Sequence, residues 1–178
     1  MPEKDNHHVK NKNYHSPVRQ DGFAGLGDYA AIGEGRSVAL IAPDGSIDWW
    51  CAPNLDSPPL FDRILDPGIG GYFQLEPTQP YRVSRQYRAD SNVLETRFDT
   101  DTGSVLLTES LNSTLAGRLP WSELARRVEG LEGSVTLRFG TRAETRSPWM
   151  ANTFQGDVFH IAYLMAMLRT SDDVIIDH

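Results

Sequence analysis

The chain has 178 residues, a formal net charge of −7 and one cysteine. That length leaves room for one domain with a sizeable core and little for a second. The acidic balance argues against a nucleic-acid partner or an anionic membrane surface, both of which need a basic footprint, and a single cysteine rules out a disulfide within the chain.

Residues 1–20 are polar and almost free of large apolar side chains, so they are expected to form a disordered tail, with the domain running over residues 21–178. His7, His8 and His15 lie in that tail. Imidazole is a common metal ligand, but no cysteine or carboxylate pattern completes a site around them, so they read as solvated and no metal is expected. The N-terminus has no apolar run of the signal-peptide kind, and no stretch approaches membrane-spanning length. The expected setting is cytoplasmic.

From Asp21 to Gly35 glycines are frequent, and Tyr29 and Ile32 are the residues that would anchor a short strand or turn to the core. Two apolar runs, Val38–Ala42 and Ile47–Cys51, then flank Pro43-Asp44-Gly45-Ser46. Val, Ile and Trp suit a pleated half-buried surface, and Asp-Gly between such runs predicts a hairpin in which Gly45 takes a positive φ. Pro53, Pro58 and Pro59 exclude regular pairing just beyond, because proline has no N–H to donate. Leu60, Phe61, Ile64 and Leu65 fall at helical spacing and predict a short helix over Pro59–Leu65, started by Ser57-Pro58 and ended by Asp66-Pro67-Gly68.

Further strands are predicted at Tyr72–Leu75, Tyr81–Ser84, Gln86–Arg88, Val93–Phe98, Val105–Thr108 and Val135–Phe139. Asp99–Gly103 has the composition of a hairpin turn, and Gly130–Gly133 of another. Many short strands with glycine-rich turns indicate a sandwich or barrel. Val158–Leu168 is nearly all apolar but too short for a membrane span. Its Ala, Leu and Met residues favour a helix with Asp157 as N-cap, whereas Val174–Ile176 is a strand on any reading.

One stretch also carries a resemblance. Asp28-Tyr29-Ala30, Ile32-Gly33, Gly35-Arg36, Ala39-Leu40-Ile41, Asp44–Trp49, Cys51, Pro53, Asp56-Ser57-Pro58, Phe61, Leu65-Asp66-Pro67 and Gly70-Gly71 follow one pattern. Tyr87, Val93–Thr96, Phe98 and Arg126–Leu131 continue it. Together they resemble the N-terminal β-domain of family-15 glycoside hydrolases, the bacterial glucoamylase and trehalase-like group, over about Gly27 to Phe139. Leu55 stands where that family has Phe, and Thr108–Asn112 where a Thr-Asp-hydrophobic-x-Pro stretch is usual. The resemblance implies an all-β, antiparallel, supersandwich-like fold with at most short helices, incomplete at its C-terminal end. It also turns Val158–Leu168 into strands, the expectation adopted here. For activity it implies inverting hydrolysis of α-glucosidic bonds by two glutamates on loops of a downstream (α/α)6 barrel. No glutamate of this chain matches those motifs, so no catalytic residue is assigned, and no cofactor is implied.

Asp48, Trp49, Trp50 and Asp56 are the candidate substrate-rim or domain-interface residues. Aromatic faces cover apolar sugar surface and carboxylates accept hydroxyl hydrogen bonds. Neighbouring tryptophans on a strand point to opposite faces, so one belongs to the core. The plainer reading gives Asp44, Asp48 and Asp56 to turns and caps. Arg36 and Arg126-Arg127 read as surface or internally paired cations ahead of an anion site. Cys51 reads as a buried, inert thiol. Ser46 and Ser57 lack nucleophile-elbow glycines, and Gly33-x-Gly35 does not complete a dinucleotide fingerprint. Three functions are consistent with this sequence. The preferred one is a non-catalytic domain that packs on a catalytic barrel and shapes its entrance. The others are a carbohydrate-binding module with an exposed Trp platform and an enzyme with an unrecognised site. A second copy, pairing along an unfinished strand edge, is the expected partner of the chain alone.

Overall fold

The computed structural model describes residues 15–112 and 122–142, together with the backbone of three later strands. The expectations for His7, His8, Asp157 and Val174–Ile176 lie outside the described residues. The described residues form thirteen strands in order: β1 (Ala30–Gly33), β2 (Val38–Ile41), β3 (Ser46–Cys51), β4 (Pro59–Phe61), β5 (Tyr72–Pro77), β6 (Tyr81–Tyr87), β7 (Leu94–Thr100), β8 (Gly103–Asn112), β9 (Glu123–Gly133), β10 (Leu137–Arg142), β11 (Thr153–Gln155), β12 (Val158–Ile161) and β13 (Ala166–Arg169). The only helical element among the described residues is a 3-10 turn at Leu26–Asp28. No described helix is long and apolar enough to cross a membrane.

One sheet runs β1-β2-β3-β5-β10, with β4 added to β3; a second runs β6-β7-β8-β9; a third is the meander β11-β12-β13. Their pairings are antiparallel throughout. β3 shares one edge between two partners, β5 opposite Ser46 and Ile47 and β4 opposite Trp50 and Cys51. The fold is the expected all-β sandwich. Ile32, Ala39, Ile41, Ile47, Trp50, Leu60 and Phe61 of the first sheet form one core with Leu94 and Leu111 of the second. Tyr81, Phe98, Val105 and Leu107 form another, against Leu75, Val83, Val135 and Leu137. Burial alternates along β7, with Leu94, Thr96, Phe98 and Thr100 inside and Arg97 outside, as period-2 side chains require.

The hairpin at Gly45 forms as expected. Its φ is +74°, its N–H donates to Ala42 O at 3.0 Å, and Ala42 N–H donates to Ser46 O at 2.8 Å. This is a three-residue loop closing on a left-handed residue. A Cβ at Gly45 would sit 2.3 Å from Leu75 O, so both conformation and space call for glycine. Asp99–Gly103 likewise forms the β7–β8 turn, where the Thr100 hydroxyl accepts from Gly103 N–H at 3.1 Å.

Two local expectations are corrected. Pro59–Leu65 is not a helix. Pro59–Phe61 pairs with β3, and a turn follows in which Leu65 N–H donates to Asp62 O. Extended chain buries Leu60 and Phe61 together and sets Phe61 6.2 Å from the Trp50 ring; packing outweighs the i, i+3, i+4 spacing. Gly130–Gly133 is not a turn either. β9 runs through it, absorbing one extra residue opposite Ser104 and Val105, with Gly133 at φ +63°. Further on, Val158–Leu168 is extended rather than helical over β12 and the start of β13.

Candidate functional site

The densest polar cluster lies where the β2–β3 loop and β3 meet the N-terminal segment. Opposite Leu40 and Ile41 the register of β3 slips, pairing Leu40 with Trp49 but Ile41 with Ile47, so Asp48 is the extra residue of a bulge. The bulge lets Ile47 and Trp50 both face the core while Asp48 turns to the polar side. Asp48 is fully buried. Its Oδ2 accepts from Arg19 Nη1 and from the Tyr29 hydroxyl, both at 2.7 Å, and its Oδ1 accepts from the Ser46 hydroxyl at 2.5 Å. Asp44 accepts from Arg19 Nε at 2.7 Å and Nη2 at 3.0 Å, from Ser46 N–H at 3.2 Å, and from Gln74 Nε2 at 3.3 Å. Arg63 closes the far side, donating to Gln74 Oε1 at 3.4 Å while its guanidinium lies 4.5 Å from the centre of the Tyr72 ring.

Two carboxylates and two guanidiniums balance in charge here. Burial works against the charge on Arg19, but hydrogen bonds to Asp44 and Asp48 outweigh it and hold the guanidinium above its ordinary pKa. Burial, and then the bond to Asp48, push the Tyr29 hydroxyl well above its ordinary value. With these donors in place, neither carboxylate is free to activate water. The cluster clamps the N-terminal segment to the sheet. Residues 15–20, within the stretch expected to be a loose tail, are held through Arg19 and through Ser16, whose hydroxyl accepts from Tyr81 N–H at 3.1 Å.

The four candidate residues separate. Asp48 sits in the clamp. Trp50 is buried, with Nε1 donating to Ser37 Oγ at 3.1 Å. Trp49 is half-buried, and Asp56 is exposed on the loop between β3 and β4. That loop is a turn in which Ser57 N–H donates to Asn54 O and Asn54 N–H to Ser57 Oγ. Cys51 is buried, and burial pushes its thiol pKa up. Arg36 reaches Glu34 at 3.3 Å.

A second charged feature lies inside the sandwich. Arg126 of β9 is turned inward, 2.8 Å from Glu109 of β8. Its Nη1 donates to Phe73 O at 3.0 Å and its Nη2 to Gly45 O at 2.5 Å, and the guanidinium stacks on the Phe73 ring at 4.5 Å. Burial raises the pKa of Glu109 and lowers that of Arg126, with their mutual attraction opposing both shifts. Arg127, its neighbour, faces outward and pairs with Glu129. The sequence signalled an internal pair for Arg126 as one reading; the polar tail gave no signal for Arg19.

Among the described residues no group of three or more His, Cys, Asp or Glu side chains is arranged to hold a metal. A recess of about 400 Å³ runs along Val18–Asp28 with Asp21 and Asp28 in its lining. Its walls come from one stretch of chain rather than from converging elements.

Residues 23–161 match the family described as trehalase-like, N-terminal. A trehalase of Thermoplasma volcanium is 32% identical over 126 residues, covering 69% of this chain and 20% of the relative. A trehalase of Mycobacterium tuberculosis is 36% identical over 116 residues, covering 63% and 16%. Trehalase 2 of Sulfolobus acidocaldarius is 39% identical over 88 residues, covering 49% and 15%. The match thus spans a fifth or less of these curated relatives. No solved structure matches the chain.

Proposed function

We propose, because this chain belongs to the trehalase-like N-terminal domain family, that it serves as a non-catalytic sandwich domain of a family-15 type α-glucoside hydrolase. In this reading it packs on a downstream (α/α)6 barrel and shapes the entrance to that barrel's site, and the substrate is a glucoside of the trehalose or maltooligosaccharide kind. The observation that carries it is the coverage: the chain aligns with 20% of one trehalase and 16% of another, which leaves the rest of such a protein for the catalytic machinery. The geometry agrees, since Asp44, Asp48 and Glu109 are each committed to an arginine.

Of the four candidate residues, Trp49 and Asp56 retain exposed surface for a rim or interface, with the exposed Leu55 beside Asp56. A homodimer along an unpaired strand edge belongs to the same reading, as does a cytoplasmic setting, which the lone cysteine supports. A carbohydrate-binding module with Trp49 or Trp50 as its platform is not favoured, because Trp50 is core and Trp49 is half-buried.

The test is glucose release from trehalose, maltose and maltooligosaccharides by the purified 178-residue chain. None is expected. Sustained turnover that disappears when one of this chain's carboxylates is replaced would overturn the proposal.

A further inference from the structure

The outer edges of the two main sheets are not alike. β1 ends the first sheet on one side, and side chains close it off. The Tyr87 hydroxyl accepts from Ala31 N–H at 2.9 Å and donates to Ala31 O at 2.8 Å. Arg85 donates to Asp28 O, and Asn92 Nδ2 to Gly33 O. An edge whose amides and carbonyls already have partners is a poor template for another strand.

β9 ends the second sheet and is open by comparison. It is eleven residues long and pairs with β8 alone. Among the described residues no strand and no side chain hydrogen-bonds its other edge. Residues 127–133 are exposed throughout. Val128 lies on the inner face with Arg126, opposite the buried Leu107, yet 43% of it is exposed. A long unblocked edge with an uncovered apolar residue at its middle invites strand addition.

The charges on β9 say which strand fits there. Hydrogen-bonded and non-hydrogen-bonded pairs alternate along an antiparallel ladder, so a two-fold pairing of β9 with its own copy must set one residue opposite itself. With Val128 on the axis, Arg127 of each copy faces Glu129 of the other, and the whole strand Glu123–Gly133 finds a partner, because Val128 is its midpoint. An axis at Arg127 or at Glu129 sets a charge against itself, and any other axis separates the two. Arg127 and Glu129 already attract each other along the strand at 2.9 Å, so the axis would gather two cations and two anions in alternation. β6 and β10 carry arginines and no acidic residue, so pairing either with its own copy brings no opposite charges together.

We infer that β9 pairs antiparallel with β9 of a second copy of this chain, about a two-fold axis through Val128. The second sheets of the two copies then form one continuous sheet, with the two Val128 side chains meeting on its inner face. This names the edge for the homodimer proposed above and rests on that reading.

The test measures mass by light scattering across a dilution series of the full 178-residue chain, which is expected to form a dimer that dissociates on dilution. The Arg127 and Glu129 side chains are 70% and 45% exposed, so replacing them spares the core. Arg127→Glu alone, or Glu129→Arg alone, is expected to raise the dissociation constant about tenfold, since each sets like charges opposite one another twice. Combining the two changes restores opposite charges and is expected to restore the dimer. In separate variants, Val128→Cys is expected to be joined to its own copy by a short bis-maleimide. Glu123→Cys is not, because its copy lies about 33 Å away in this register. A monomer at every concentration would overturn the inference and the homodimer together, and would mean that another part of the polypeptide covers the edge. A dimer indifferent to the single charge changes, or one that joins through Glu123→Cys and not Val128→Cys, would keep a homodimer but move it off this axis, overturning the inference alone.

Discussion

Arg19 Nη1 lies 2.7 Å from Asp48 Oδ2, across 29 residues of sequence, and the same guanidinium holds Asp44. One side chain near the start of the chain thus bridges two carboxylates of the first hairpin. Removing it leaves Asp48 buried with only hydroxyl donors. Arg19→Ala is expected to cost about 2–3 kcal/mol, read as a lower urea midpoint with unchanged m. An unshifted midpoint would mean that the clamp is worth no more than a surface ion pair.

The Glu109–Arg126 pair predicts strong non-additivity. Arg126→Leu strands a buried carboxylate and is expected to cost about 3–5 kcal/mol, while Glu109→Leu with Arg126→Leu costs clearly less than the sum of the two single changes. A double-mutant cycle by chemical denaturation measures this; additive costs would rule out coupling.

Gly45→Ala tests the loop. With φ at +74° and a Cβ forced to 2.3 Å from Leu75 O, the loop must shift, at an expected cost of about 2–3 kcal/mol. Gly35→Ala supplies the comparison, because Gly35 also has positive φ but no atom within 4 Å of its Cβ position. It is expected to cost less, about 1 kcal/mol. Equal effects would show that the close approach to β5 contributes nothing.

Tyr29 gives a pH signature. Its folded-state pKa is raised above the ordinary 10.0, so the folded protein keeps the phenolic proton longer than the unfolded chain. The resulting stability is complete below pH 10 and is lost as pH rises through the folded value. Tyr29→Phe is therefore expected to flatten the alkaline fall in stability. The part due to Tyr81, which burial and then Glu76 also raise, should remain. Superimposable alkaline limbs for the two proteins would contradict this assignment.

Cys51 should report global unfolding. Only 4% of it is exposed and burial raises its pKa, so its modification by a thiol reagent is expected to track the unfolding equilibrium measured by fluorescence. Fast labelling under native conditions would show that the β3–β4 region opens locally.

The sequence by itself determined what depends on near neighbours. The loop over Pro43–Gly45 follows from Asp-Gly between two apolar runs, and the β7–β8 turn from Asp99–Gly103. The buried face of β7 follows from alternation at Leu94, Thr96 and Phe98, and the all-β class from the sum of such segments. The dense run of matched residues from Asp28 to Gly71 made the kinship legible as well. What the tertiary structure decided are matters that no local window contains. Phe61 is extended because Trp50 offers it a packing partner, although its own segment has helical spacing. β9 passes through Gly130 because the ten-residue strand β8 pairs along it and a bulge absorbs the mismatch. Asp48 faces the polar clamp instead of sharing a face with Trp50, because another bulge breaks the period of two. Arg19 finds its carboxylates across 25 and 29 residues, and Arg126 reaches Gly45 across 81. Periodicity and turn chemistry act over a few residues, whereas burying a charge is tolerable only where a distant partner meets it, and that meeting is fixed by the packing of the sheets.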